Sequence, residues 1–326
     1  MDNGERVTEY FERSFLAPLL SKSGVTDISF NGEEIFYVSS HYGRKRSGIE
    51  VDNDQVGSFL RQIANMTEQQ FSYITPRLDV SFSRYRLNAT FFSIGRVYER
   101  KVFTFSVRIA HDGSAVSEDS SFFPGKTRKL LLDALSRHES IVIAGETGAG
   151  KTELQKYLLM NLPPYTRVIA IDNIGELERI RGEGLIDLTF WLVDEKVRDA
   201  TFPELIRNGL RNNPDYLLVA EVRGREMFDA LGAVMSGHPI ITTLHAKDLA
   251  AIPYRMARMA QAGDINLQFD DLLGDIYHHF SLLVYVGKSM REGAVYRRIV
   301  TVGRLNEQAR EIEILYEEKK RGRPAK

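Results

Sequence analysis

The chain predicts an α/β protein in two parts: a domain built on a parallel sheet over residues 125–326 and a small α+β domain over residues 1–110, joined by a linker at 111–124. Three observations carry this. Beyond residue 125, strand-like apolar runs alternate with helix-like segments, the order that buries a parallel sheet between helices. Before residue 110, short half-buried strands surround one clear helix. Between Ala110 and Pro124 the composition turns to His-Asp-Gly-Ser-Ala-Val-Ser-Glu-Asp-Ser-Ser, rich in turn formers and poor in apolar side chains. A chain of 326 residues is long enough for two such cores.

Taken in order, Phe15 to Leu20 ends a short helix. Val25-Thr26-Asp27-Ile28-Ser29-Phe30 alternates as a strand and stops at Asn31-Gly32, a hairpin signal that makes Ile35 to Val38 its partner. A helix is expected from Gln55 to Met66, then strands near 78–82, 85–91 and 103–109. In the second part the expected order is helix 126–137, strand 141–144, helix from 151, strand 168–171, helix 203–212, strand 216–220, helix 225–235 and strand 240–243.

The most specific signal is Gly145-Glu146-Thr147-Gly148-Ala149-Gly150-Lys151-Thr152, a complete G-x-x-x-x-G-K-[ST] pattern directly behind the apolar run Ile141 to Ala144. A buried strand must turn sharply there into a helix. The glycines let backbone N–H groups point inward at a β-phosphate, Lys151 reaches the β- and γ-phosphates, and the Thr152 hydroxyl can hold Mg²⁺. The helical character of 153–160 adds a helix N-terminus facing the phosphates. A nucleoside triphosphate with Mg²⁺ is the expected ligand.

In a parallel sheet, ligands bind at the carboxyl ends of the strands. Three more strand ends carry useful side chains: Asp172-Asn173-Ile174-Gly175-Glu176, Glu221-Val222-Arg223-Gly224 and Leu244-His245. Carboxylates there can bind Mg²⁺ through water or orient an attacking water, and a histidine can sense the γ-phosphate. Any one of these is an ordinary loop charge. Their convergence on the edge holding the phosphate loop makes them candidates.

Four segments, G-E-T-G-A-G-K-T, I-D-N-I-G-E-L, R-N-G-L-R-N-N-P-D-Y-L-L-V-A-E-V-R-G and S-G-H-P-I-I-T-T-L-H-A-K-D, resemble in order and spacing the traffic ATPases of type II and type IV secretion and type IV pili. The likeness runs over about residues 125–300 and is looser before that. It implies a RecA-like P-loop domain behind an N-terminal domain, nucleotide held between them, a ring-shaped homohexamer and ATP hydrolysis that drives transport. By the same resemblance Lys151 and Thr152 are the Walker A lysine and hydroxyl, and Glu221 is the Walker B glutamate that holds the metal. Glu176 is the candidate for activating water, His238 and His245 are the two "His box" histidines, and Arg255 is the arginine downstream of them. Arg84, Arg86 and Arg108 resemble arginines that reach phosphates from the N-terminal domain, a task suited to a planar fork that never loses its charge. Arg207 and Arg211 are candidates for facing a neighbouring subunit. Implied partners are membrane-embedded secretion or pilus components and a coupling protein, with nucleic acid met only indirectly. The implied location is cytoplasmic, at the inner face of the cell membrane.

One departure stands out. The family usually has I-E-D-x-x-E where this chain has Asp172 and Asn173, so one carboxylate is shorter and the next is an amide without charge. Slow hydrolysis, or a nucleotide-bound ring subunit with little turnover, is therefore an open alternative. The chain has no cysteine, which rules out the four-cysteine zinc module of the longer pilus-assembly and type II members, and V-T-D-I-S-F-N-G points to the type IV secretion branch over pilus retraction. With Lys+Arg 43 against Asp+Glu 44 the formal charge is −1, which argues against a RecA-like DNA translocase, and no N-K-x-D motif indicates GTP. The N-terminus lacks the order of a signal peptide, and no apolar run approaches the ~20 residues of a membrane span. The terminal Arg321-Gly322-Arg323-Pro324 could lie in a minor groove or on anionic lipid, though a solvated tail is the simpler expectation.

Overall fold

The computed structural model describes residues 3–39, 43–110, 113–180, 185–264, 266–291 and 294–318. The basic terminal segment at 319–326, with its Arg-Gly-Arg-Pro sequence, lies outside them. Two compact units divide the chain: Met1–His111 with Met290–Tyr296, and Asp112–Ser289 with Arg297–Lys326.

The first unit opens with helices α1 (Asn3–Glu12) and α2 (Ala17–Leu20), followed by β1 (Val25–Phe30), β2 (Ile35–Ser39), β3 (Arg44–Arg46) and α3 (Asn53–Met66). Strands β4 (Arg77–Phe82), β5 (Tyr85–Thr90), β6 (Arg96–Val97), β7 (Arg100–Lys101) and β8 (Thr104–Ile109) complete it. Six of these strands form one sheet in the order β3-β2-β1-β8-β5-β4. Helix α3 starts where Asp52 and Gln55 bond reciprocally to each other's backbone N–H, a capping box. One sheet face is apolar, because Leu78, Val80, Phe82, Tyr85, Leu87 and Ala89 alternate inward. Aromatic rings fill the space beneath it: Phe11 lies 4.6 Å from Tyr85 and 5.9 Å from Phe59. The other face is polar, and it carries Asp27, Asp79, Arg86 and Arg108.

The second unit contains α4 (Thr127–Ser136), β9 (Ile141–Gly145), α5 (Lys151–Met160), β10 (Arg167–Asp172), β11 (Asp187–Leu192), α6 (Phe202–Leu210) and β12 (Tyr216–Val219). Next come α7 (Glu226–Met235), β13 (Ile240–Leu244), α8 (Ala251–Gln261), α9 (Phe269–His279), β14 (Leu282–Arg291), β15 (Ala294–Asn306) and β16 (Glu311–Glu317). Its eight-stranded sheet runs β11-β10-β12-β13-β9-β14-β15-β16, and every pairing from β11 to β14 is parallel. Helices cover both faces. Val142 and Ala144 face a core shared with α6 to α9, while Ile141 and Ile143 face a core shared with α4 and α5. Both sides of β9 are buried, which is why it reads as an unbroken apolar run. This is the parallel α/β sheet, preceded in sequence by a small α+β unit, that the segment pattern predicts.

Of the expected connector at 111–124, residues 111 and 112 lie outside the described residues, and 113–124 pack into the second unit. Val116, Phe122 and Phe123 are buried in its core. The Ser114 hydroxyl donates to the Glu153 carbonyl at 2.7 Å and the Ala115 N–H to the Glu153 carboxylate at 2.6 Å. Three apolar residues spaced among serines are enough to anchor a segment whose average composition is polar. Among the described residues, no helix is long and apolar enough to cross a membrane.

Candidate nucleotide site

The phosphate loop follows β9 directly. A Cβ at Gly145 would meet the Val286 carbonyl oxygen at 2.3 Å, so the close passage of β14 admits only glycine there. Gly150 has φ +98°, a left-handed conformation that turns the chain into α5 with little strain only without a side chain. Glu146, Thr147 and Gly148 are exposed, Ala149 is buried and Thr152 is half-buried at the first turn of α5.

Lys151 is only 8% exposed. Its Nζ donates to the carbonyls of Gly145 at 3.1 Å and Glu146 at 3.2 Å, and lies 3.4 Å from Nδ1 of His245. Burial is the main reason its pKa falls below the usual lysine value. Glu221 pulls the other way, Arg223 adds to the fall, Glu146 opposes it, and Lys288 adds to it. His245 bridges to the next carboxylate, with its Nε2 2.9 Å from Oε1 of Glu221. That oxygen is buried and takes no hydrogen bond of good geometry among the described residues, so the short approach is an off-axis contact and leaves a lone pair for a further partner. Oε2 of Glu221 is taken by Arg223, whose Nε and Nη2 donate at 2.8 and 2.5 Å.

These groups meet because their strands are adjacent, in the sheet order β10-β12-β13-β9. Helix α5 is tied across them by Gln155, a buried amide that donates to the carbonyls of Val219 at 2.9 Å and Ile241 at 3.2 Å. At the end of β10, Asp172 is 2% exposed and accepts the N–H groups of Ile174 at 3.0 Å and Leu177 at 3.3 Å. Its carboxylate shapes the turn that carries Glu176, and is thus occupied as a turn organiser. Asn173 and Glu176 are half-buried.

Not every expected residue joins this group. His238 precedes β13 and Glu221 and His245 follow their strands, so His238 lies at the opposite sheet edge, where Nδ1 is 3.1 Å from the Ser236 hydroxyl. A five-residue strand separates its two ends by roughly 16 Å. Arg255 sits on the exposed side of α8 and makes no hydrogen bond or ion pair among the described residues. Arg84, Arg86 and Arg108 belong to the first unit, and each has a partner there. Arg84 Nε donates to the Tyr85 hydroxyl at 3.0 Å, Arg86 grips Asp79 at 3.1 and 3.2 Å, and Arg108 lies 3.4 Å from Asp27. Arg207 pairs with Glu204 and Asp229 within the second unit.

Three cations escape the sequence reading. Arg223 holds the Glu221 carboxylate, while Lys288 and Arg297 reach the loop from β14 and β15. The signal for Lys288 is present: Leu282 to Val286 is another apolar run, and Lys288 stands just beyond it at the same sheet edge.

Among the described residues, no group of three or more His, Cys, Asp or Glu is arranged to hold a metal. A Mg²⁺ at this edge would rest on Thr152, Glu221 and the phosphates. That fits an ion that keeps several waters and takes only one or two protein ligands, and it fits the unmet oxygen of Glu221.

Residues 105–273 match the family described as Type II/IV secretion system protein. A protein of Bacillus anthracis without an assigned role is 28% identical over 266 residues, 79% of this chain and 57% of that one. The type IV secretion system protein PtlH of Bordetella pertussis is 31% identical over 173 residues, 52% of this chain and 51% of that one. The chain thus spans little more than half the length of these two relatives. The X-ray structure of the Legionella pneumophila ATPase DotB shares the fold, with a TM-score of 0.65 at 19% identity over 94% of this chain and 81% of that one. The family match takes in the phosphate loop and all three of the other strand ends, and it covers more than half of the 326 residues, so the chain belongs to the Type II/IV secretion system protein family.

Proposed function

We propose that the chain is an ATP-hydrolysing motor that works as a homohexamer and energises transfer of protein or nucleoprotein through a type IV secretion, conjugation-like apparatus. The observation that supports this most is the contact chain Lys151–His245–Glu221, which unites the phosphate loop with the ends of two neighbouring strands. In this reading the loop Gly145–Thr152 cradles the phosphates and Lys151 exchanges its carbonyl partners for phosphate oxygens. Thr152 and Glu221 hold Mg²⁺, which when bound neutralises charge on the phosphate oxygens. Glu176 accepts the proton of the attacking water. His245, poised between Lys151 and Glu221, registers whether a γ-phosphate is present. Arg86 and Arg108, and with them Arg84, are phosphate-directed, which would require them to leave Asp79, Asp27 and Tyr85. His238, at the opposite sheet edge, and Arg255, exposed on α8, are carried in this reading as contacts to a neighbouring copy. The motor works from the cytoplasm, associated peripherally with the inner face of the membrane through secretion or pilus components and a coupling protein.

Glu176→Gln should keep nucleotide binding and lose turnover by roughly 10² to 10⁴, because an amide cannot accept the water's proton. Calorimetric binding and phosphate release, measured on Glu176→Gln and Glu221→Gln side by side, test the assignment. If Glu176→Gln hydrolyses normally and Glu221→Gln does not, the base is Glu221. If both hydrolyse normally, neither carboxylate acts.

A further inference from the structure

The back of the phosphate loop is held by two cations that the proposed reaction does not use. Lys288, just past the apolar run of β14, donates from Nζ to the Thr147 carbonyl at 2.7 Å and lies 3.6 Å from Oε2 of Glu146. Arg297, on β15, donates from Nε to the Gly148 carbonyl at 2.7 Å. Both side chains run close to glycines. A Cβ at Gly150 would stand 3.6 Å from Cδ of Arg297, and one at Gly148 would stand 3.9 Å from Nζ of Lys288.

A trans peptide is planar, so a carbonyl and the N–H that follows it point in opposite directions. Holding the Thr147 carbonyl toward Lys288 therefore turns the Gly148 N–H to the other side. Holding the Gly148 carbonyl toward Arg297 fixes the next peptide plane, whose Ala149 N–H closes the turn by donating to the Glu146 carbonyl at 3.2 Å. Such fixing is needed because Gly148 and Gly150 have φ +74° and +98°, and glycine backbone has little preference of its own. An anion-binding nest works only when its N–H groups converge without reorganisation on binding.

We propose that Lys288 and Arg297 are positioning residues that set the peptide planes of the phosphate loop from its carbonyl side, so that its N–H groups are aimed before a nucleoside di- or triphosphate arrives. The inference rests on the reading of the loop as a nucleotide site. Neither cation has to touch phosphate. Lys288 is near enough for its charge to be felt at Lys151, where it adds to the larger effect of burial.

The test is equilibrium binding of fluorescent ADP and ATP to the full chain, with melting curves recorded without nucleotide. The variants are Lys288→Ala, Arg297→Ala, Lys288→Arg, Arg297→Lys and Lys151→Ala. Each alanine variant should weaken both nucleotides about tenfold, the scale of one charge-assisted hydrogen bond. ADP and ATP should suffer alike, because the loop's N–H groups serve the phosphates common to both. The basic-for-basic changes should recover most of the loss, while the nucleotide-free melting temperature stays at the parent's value. Loss of affinity that tracks a fall in melting temperature and is not recovered by Lys288→Arg is a folding effect and overturns the proposal. Parent-like affinity in both alanine variants, with Lys151→Ala unable to bind, overturns the positioning role and leaves the nucleotide reading intact. Parent-like affinity in every variant, Lys151→Ala included, removes both.

Discussion

His245 is held neutral near pH 7 by what surrounds it. Burial lowers its pKa from the usual 6.5, the Lys151 ammonium lowers it further, and Glu221 only partly opposes them. With Lys151 donating to Nδ1, the remaining ring proton sits on Nε2, facing Glu221. The sign of the pH dependence follows. The unfolded chain takes up the proton first as pH falls, so the folded state is at full advantage above about pH 6.5 and loses stability as pH drops from there toward the lowered pKa. Urea unfolding between pH 8 and pH 5 should show His245→Gln losing less stability on acidification than the parent; identical slopes would mean that His245 titrates like an exposed histidine. Of the candidate residues, Lys151, Glu221 and His245 were legible because each follows an apolar run in sequence. Asp172 was legible in position but not in role, since nothing in I-D-N-I-G-E tells a metal ligand from a carboxylate that accepts two backbone N–H groups. Lys288 and Arg297 were missed because they act through loop carbonyls, which no side-chain motif records.

At the scale of elements, the loop depends on the close pairing of β9 with β14. Gly145→Ala puts a methyl group against the Val286 carbonyl, a backbone atom that can give only if β14 moves, and Lys288 moves with it. The expected cost is about 1 to 3 kcal/mol, as for other overpacked sites, with weakened nucleotide binding in addition. Denaturant melts and nucleotide titration of the variant check this; parent-like values in both would show that the two strands are free to part. The central strands β9, β10, β12 and β13 could be read from sequence because both their faces are buried. The edge strand β11 was missed although Ile186 to Phe190 alternates and Phe190 to Val193 is apolar, because a short run that mixes the two patterns does not by itself tell a strand from a helix segment. The strands β14 to β16 escaped for a related reason: charged residues such as Lys288, Arg297 and Arg298 interrupt them, and only the first half of β14 is continuously apolar. Helix α3 was legible to within two residues: the sequence reading starts it at Gln55, and the capping pair of Asp52 with Gln55, which marks the true start at Asn53, escaped it.

For the whole molecule, a formal charge of −1 gives no net attraction for nucleic acid, and the proposed work is done through assembly and nucleotide turnover. The arginines of the first unit enter at this scale. Arg86 and Arg108 face each other across β5 and β8 and are neutralised by Asp79 and Asp27. If they are drawn to phosphates during turnover, Arg86→Ala or Arg108→Ala should lower kcat by roughly 10³ to 10⁵ with a smaller change in binding, the size of such effects in other nucleotide hydrolases. Steady-state kinetics on both variants decide this, and parent-like kcat would return the pair to the role of surface ion-pair partners. The measurement closest to the central claim is phosphate release from Mg-ATP by the full chain, over a protein concentration series whose assembly state is followed by light scattering, with Lys151→Ala as the control. The account predicts hydrolysis whose specific rate rises as hexamers form, and none from Lys151→Ala at any concentration. Equal rates from parent and variant, or no hydrolysis by the assembled parent, would contradict it.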